Sequence, residues 1–212
     1  DRQLRGRGIS DPAVLAAIPV GFVAWPCPDE GQPLVRRASS VAQEAGVPTR
    51  CLLAGMQALP GCADDTRVLW PPAFEPLARN AASVVFAIAW LGRKILLTGD
   101  LEEAQEQVLV DRGAVPAADV LKLGHHGGRA SSSPDFLAAV RPAIAVVSGF
   151  ATRQRRNLPV ETADRVAATG ARLVATRLSG DVLVRIDAAG RLYWTGRRLP
   201  SGREIRTYVR VP

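Results

Sequence analysis

The stretch from Lys94 to Ser133, KILLTGDLEEAQEQVLVDRGAVPAADVLKLGHHGGRASSS, restricts this chain more than any other. It holds both histidines of the sequence and sets them one strand away from a carboxylate. Lys94 to Thr98 is a short apolar run that stops at Gly99-Asp100, so a buried strand should leave Asp100 at its C-terminal edge. That edge is where α/β folds place their sites. From Leu101 the pattern becomes helical, with Leu101, Ala104, Val108 and Leu109 on one face, Glu102 and Glu103 in the first turn, and Gly113 as a stop. Asp119 to Leu123 then gives a second strand, which runs into Gly124-His125-His126-Gly127-Gly128.

Carboxylate oxygen and neutral imidazole nitrogen are donors that Zn, Mn or Fe accept, and loop glycines let backbone and ligands crowd around an ion. Each residue also has a plainer role open to it. Asp100 would cap the helix beginning at Leu101 through the N–H groups of Glu102 or Glu103, and the two histidines would bond backbone carbonyls. The sequence does not choose which of His125 and His126 acts as ligand or transition-state stabiliser. If the pair follows strand-like alternation, only one of them faces Asp100. Lys122, Arg129 and Ser131 to Ser133 are candidates for phosphate contact, as are Arg153, Arg155 and Arg156, with a solvated loop as the alternative for each.

Composition bears on the partner. The net charge of +7 is carried almost wholly by arginine, because Lys94 and Lys122 are the only lysines. Arginine binds phosphate in a planar, bidentate manner, and a basic domain attracts polyanions, nucleic acid above all. A generally arginine-rich composition accounts for the same charge, and both readings stand. No run approaches the roughly 20 apolar residues of a membrane span, and no cleavable signal pattern opens the chain. Cys27, Cys51 and Cys62 form no CxxC pair and read as small buried residues, a Cys27 to Cys62 bridge being the one pairing considered.

Residues 1–11 are an arginine- and glycine-rich arm, and 12–212 are expected to form one domain. In order, the chain predicts a helix at Pro12 to Ala17, a strand at Val20 to Trp25, a helix at Pro33 to Ala45 and strands at Thr49 to Leu53 and Arg67 to Trp70. A hairpin follows, Ser83 to Trp90 and Lys94 to Thr98 around Leu91-Gly92-Arg93. After the histidine loop come a helix at 134–140 capped by Ser133, a strand at Ile144 to Ser148, a basic loop at 149–159 and a helix from Val160. Strands at Arg172 to Thr176, Asp181 to Ile186 and Arg191 to Thr195 follow, then an edge strand within Arg203 to Val211. Trp25, Trp70, Trp90 and Trp194 are assigned to packing. Strand pairs with intervening helices give an α/β fold of two sheets with helices outside.

Thr98-Gly99-Asp100, a helix, and a strand ending in His125-His126-Gly127 with Ser131 to Ser133, preceded by Asn80 and Ser83, resembles the metallo-β-lactamase-like domain of the ComEC family of bacterial DNA-internalisation proteins. The resemblance runs from about Pro12 to about Arg185. It implies a four-layer αββα sandwich, incomplete at the N-terminus, on the extracytoplasmic face of the inner membrane and joined to the membrane-channel portion of a parent protein. It also implies a divalent metal, Zn or Mn, held by Asp100, His125 and His126, and hydrolysis of DNA phosphodiesters, with a non-catalytic DNA-guiding domain as the alternative.

Two departures bear on that choice. The family's N-terminal HxDxDH-type motif has no counterpart, since no histidine precedes His125. Either the sequence begins just after that motif, or Asp1-Arg2-Gln3-Leu4 is its decayed remnant. In the loop after Ser148, Asn157-Leu158-Pro159 puts a leucine where the family has the histidine of Gly-His-Pro. The chain as it stands should therefore bind divalent metal weakly, unless Asp64, Asp65 or Asp181 adds a ligand.

Overall fold

A computed structural model describes residues 17–56, 65–72, 77, 79–149, 158–197 and 209–210. The chain divides into two compact units, Asp1–Val84 and Val85–Pro212.

In the first unit, β1 (Val23–Pro26), α1 (Pro33–Glu44) and β2 (Thr49–Leu52) form a parallel βαβ turn, with Val23 opposite Thr49 and Trp25 opposite Cys51. Pro33 opens the helix, where a missing N–H costs nothing, and Val41 and Ala42 are its buried residues. They pack on Val23, with Val20, Trp25 and Val47 around them. The parallel register brings the residue after β1 beside β2, and Cys27 and Cys51 form a disulfide there with Cα atoms 4.7 Å apart. This corrects the reading of Cys27 and Cys51 as free buried thiols, and it takes Cys27 away from Cys62. The strand β3 (Thr66–Trp70) ends on Trp70, whose indole N–H donates to the Ala81 carbonyl at 2.6 Å. The helix expected at Pro12 to Ala17, apart from Ala17, and Asp64 lie outside the described residues.

In the second unit β4 (Val85–Trp90) and β5 (Arg93–Leu97) form the expected hairpin. Its turn is two residues, Leu91-Gly92, both at positive φ, where three had been expected. Three parallel strands follow in sheet order: β6 (Val120–Lys122), β7 (Ile144–Val147) and β8 (Arg172–Ala175). The crossovers carry α2 (Glu103–Asp111), α3 (Pro134–Val140) and α4 (Val160–Ala168). Right-handed connections advancing in one direction put all three helices on one face of the sheet. After a single turn, α5 (Thr176–Ser179), the chain forms an antiparallel sheet of β9 (Asp181–Ile186), β10 (Leu192–Arg197) and β11 (Val209–Arg210). Val182, Val184, Ile186, Leu192 and Trp194 of this sheet pack with Val120, Ile144 and Val174 of the parallel strands. The second unit is therefore mixed α/β, layered helix, sheet, sheet. Trp90, at the end of β4 beside the hairpin turn, is 52% exposed.

Candidate functional site

The parallel register sets Leu97 beside Lys122, so β5 and β6 end together. Thr98, fully buried, donates its hydroxyl to the Lys122 carbonyl at 2.7 Å, and the backbone N–H of His125 reaches the Gly99 carbonyl at 3.3 Å. These bonds hold Asp100 next to the histidine loop. Gly124 permits the approach, since a Cβ there would lie 2.5 Å from the Leu101 carbonyl oxygen. The helix starts at Glu103 with Glu102 at the N-cap position, two residues later than the sequence predicts, so Asp100 does not occupy the cap.

Both histidines adopt left-handed backbone, His125 at φ 44° and His126 at φ 56°. Each costs about 1–2 kcal/mol relative to ordinary backbone. Strand-like alternation is thus not the geometry, yet the side chains do part. His125 Nδ1 lies 2.9 Å from Glu102 Oε1, while His126 Nε2 lies 3.6 Å from Asp100 Oδ1. His126 Nδ1 is 2.6 Å from the Ser148 carbonyl oxygen. A carbonyl only accepts, so Nδ1 carries a proton and Nε2 is the ring nitrogen turned toward Asp100. A backbone carbonyl bonded in this way is the usual support behind a metal-ligating histidine. The carbonyl-bonding role that the sequence offers therefore falls to Nδ1 of His126, and its Nε2 is left facing Asp100.

Lys122 is the third member. Its ammonium donates to the Gly99 carbonyl and stands 3.7 Å from Asp100 Oδ1. Burial pushes its pKa below the usual lysine value, and the Asp100 carboxylate opposes that shift. Among the described residues, no group of three or more His, Cys, Asp or Glu side chains converges as for a metal ion. With bonds of about 2.1 Å and tetrahedral angles, two ligand atoms on one ion lie roughly 3.4 Å apart. Asp100 Oδ1 and His126 Nε2 match that span in kind and spacing. They are one donor short of the three protein ligands a firm catalytic site takes. Asp65 and Asp181 are exposed. Leu158 lies against Gly127, with its Cδ1 2.5 Å from where a Cβ on that glycine would sit.

Other sequence candidates fall differently. Ser131 and Ser132 are fully buried and Ser133 nearly so, which turns them away from a solvent-borne phosphate. Arg129 is open and pairs with Glu161 at 3.3 Å. Arg153, Arg155 and Arg156 lie outside the described residues. Asn80 and Ser83 belong to the first unit, in and just after the short 3-10 turn Arg79–Ala82.

Sequence reasoning missed Glu106. The helix is rolled so that Glu106 and Leu109 are buried while Ala104 is exposed. Glu106 Oε1 accepts from the Ser132 N–H at 2.6 Å and Oε2 from the Ser133 N–H at 2.8 Å. Burial raises its pKa, and those two N–H groups partly offset the rise. Thr176 was missed too; its hydroxyl exchanges hydrogen bonds with the N–H and carbonyl of Gly149, at 3.1 and 3.2 Å, and so steadies the segment that offers Ser148 to His126.

No family model matches the chain. Among curated proteins it is 40% identical over 129 residues to competence protein ComA of Neisseria gonorrhoeae, which is 59% of this chain and 18% of that relative. It is 38% identical over 81 residues to ComE operon protein 3 of Bacillus subtilis (strain 168), 38% of this chain and 10% of the relative. It is 35% identical over 82 residues to recombination protein 2 of Haemophilus influenzae (strain ATCC 51907 / DSM 11121 / KW20 / Rd), covering 39% and 10% respectively. The chain thus spans less than a fifth of the length of each.

Proposed function

We propose that this chain is a DNA-processing domain of a ComEC-type DNA-uptake protein, built on the metallo-β-lactamase-like sandwich. Phosphodiester hydrolysis would take place at the Asp100–His126 edge. The observation that carries this reading is the His126 ring, fixed through Nδ1 with Nε2 facing a carboxylate 3.6 Å away. Partial identity to a protein named for competence and to one named for recombination supports DNA as the partner. Asp100 and His126 would hold a divalent ion, Zn or Mn, which when bound supplies Lewis acidity toward a phosphate and its attacking water. The chain's own residues do the rest. Lys122 presents a positive charge to a phosphate oxygen at the same carboxylate, and Arg129 adds one at the open rim of the loop.

Placement outside the cytoplasm, beside a membrane channel of the same parent protein, fits the Cys27–Cys51 disulfide, because such bonds persist in oxidising compartments. No helix of the described residues is long and apolar enough to cross a membrane.

One observation favours the non-catalytic reading, in which the domain guides DNA. Leu158, at the place of the family's histidine, lies against Gly127 and offers no lone pair. One experiment separates the two. Labelled single-stranded and duplex DNA are titrated with the chain across a salt series, then incubated with Mn or Zn. Cleavage that disappears in Asp100→Ala supports the hydrolase. Binding that weakens steeply with salt, with no cleavage, supports guiding. Salt-independent binding, or none, overturns both.

A further inference from the structure

We propose that Glu106 is the positioning residue of the histidine loop, acting on His126 from behind without touching any ligand. A buried carboxylate is costly unless its oxygens are fully bonded. Glu106 is fully buried, and its two oxygens take the consecutive N–H groups of Ser132 and Ser133, the residues immediately before α3. Ser132 is itself left-handed, at φ 59°, which places an otherwise disfavoured residue under the same clamp. The next residue back, Ser131, donates its hydroxyl to the carbonyls of Gly124 and Gly128 at 2.8 and 2.9 Å. Those two glycines bracket His125, His126 and Gly127. The path runs without a gap from Glu106 through the serine backbone to both ends of the strained pair.

Strained backbone persists only where its surroundings over-determine it. The loop offers His125 and His126 no glycine-like freedom, so the restraint must come from outside the pair. Glu106 and Ser131 supply it on one side, and the Ser148 carbonyl supplies it on the other. A leucine at 106 would satisfy helix packing and leave two buried N–H groups without partners, so packing alone does not account for the carboxylate. Glutamine keeps the shape of glutamate but sets an NH2, which only donates, where one of the two N–H groups now finds an acceptor oxygen.

The inference rests on the proposed site only in taking His126 as the residue whose aim matters; the measurement reads the loop itself. The full chain has two imidazoles, so nitrogen-15 NMR resolves each ring and reports its tautomer. In the wild type the neutral His126 should be the Nδ1–H form, with the Ser132 and Ser133 amide protons shifted downfield and slow to exchange. In Glu106→Gln the His126 signal should move toward a mixture of tautomers, and those amides should exchange at least 100-fold faster. Ser131→Ala should perturb the same ring and serves if Glu106→Gln does not fold. Leu192→Val, which trims the core between the two sheets, lowers stability without reaching the loop and should leave both rings unchanged. An unchanged His126 tautomer in both loop variants overturns the proposal. So does an equal change in Leu192→Val. If DNA is neither bound nor cut while the NMR result holds, only the proposed function fails.

Discussion

Behind the histidine loop, Glu106 is sealed from solvent and bonded at 2.6 and 2.8 Å; in front of it, Asp100 is 41% exposed with His126 and Lys122 at 3.6 and 3.7 Å. The two carboxylates are six positions apart, Asp100 on the connection after β5 and Glu106 within α2, and are treated in opposite ways. Where both oxygens of a buried carboxylate accept backbone N–H groups, the backbone holds a conformation it would otherwise leave. In front, a part-exposed carboxylate stands between groups of complementary character, the lysine ammonium and the imidazole. If that division is real, variants behind the loop should cost stability and leave the front chemistry misaligned, while variants in front should cost function and little stability.

The largest expected effect is that of Glu106→Leu. It leaves the Ser132 and Ser133 N–H groups buried and unpaired, at about 1–3 kcal/mol each. Urea denaturation should show a loss on the order of 3 kcal/mol, against a loss within about 0.5 kcal/mol for Asp100→Ala. Equal losses at the two positions would break the comparison.

Next is Ser133→Ala. Ser133 Oγ accepts from the Phe136 N–H at 3.3 Å and caps α3, so its removal should cost about 1 kcal/mol, seen as a lowered Tm. A loss approaching that of Glu106→Leu would mean that the cap, and not the carboxylate, dominates the rear of the loop.

This cap was legible in the sequence, as were the hairpin, β6, β7 and α3, because each depends on neighbours in the chain: a serine before a proline, an apolar run before a glycine. Asp100 and the histidines were legible as strand exits for the same reason. Glu106 was not. Which face of α2 turns inward depends on two N–H groups 26 and 27 residues away, and the apolar period alone favoured Ala104 and Val108. The Cys27–Cys51 bond follows from the parallel register of β1 and β2, which composition does not encode. The orientation of the His126 ring toward Asp100 depends on the Ser148 carbonyl, a partner 22 residues on.

A smaller effect belongs to Asp119, at the start of β6. Its oxygens meet Arg93 Nη1 and the Lys94 N–H, both at 2.8 Å. Burial opposes ionisation of this carboxyl, but those two partners outweigh it and hold the pKa below the usual 3.8. As pH falls the unfolded chain takes up this proton first, so the contribution is present above the unfolded value and is lost through the folded one. Asp119→Asn should cost up to about 1 kcal/mol at pH 6 and should flatten the acid limb of stability below about pH 4. Urea midpoints across pH 3–6 decide it; parallel curves for the two proteins would remove Asp119 from the account.

The smallest effect on stability, and the sharpest test of the division, is expected from Lys122→Met. Methionine keeps an apolar stem of similar length and removes an ammonium whose burial is unfavourable, against which stand one carbonyl bond and the attraction of Asp100. The opposed terms should leave the change within about 1 kcal/mol of zero, in either direction. The pH dependence carries the sign. Because the folded pKa lies below the unfolded 10.5, the folded chain gives up this proton first, so wild-type stability should gain as pH rises between those two values. That gain should vanish in Lys122→Met. DNA affinity, by contrast, should fall, and the slope of log K against log salt should shrink by about one phosphate contact. A variant that unfolds as readily as Glu106→Leu, or binds DNA with an unchanged salt slope, would place Lys122 in the scaffold behind the loop instead of at its open face.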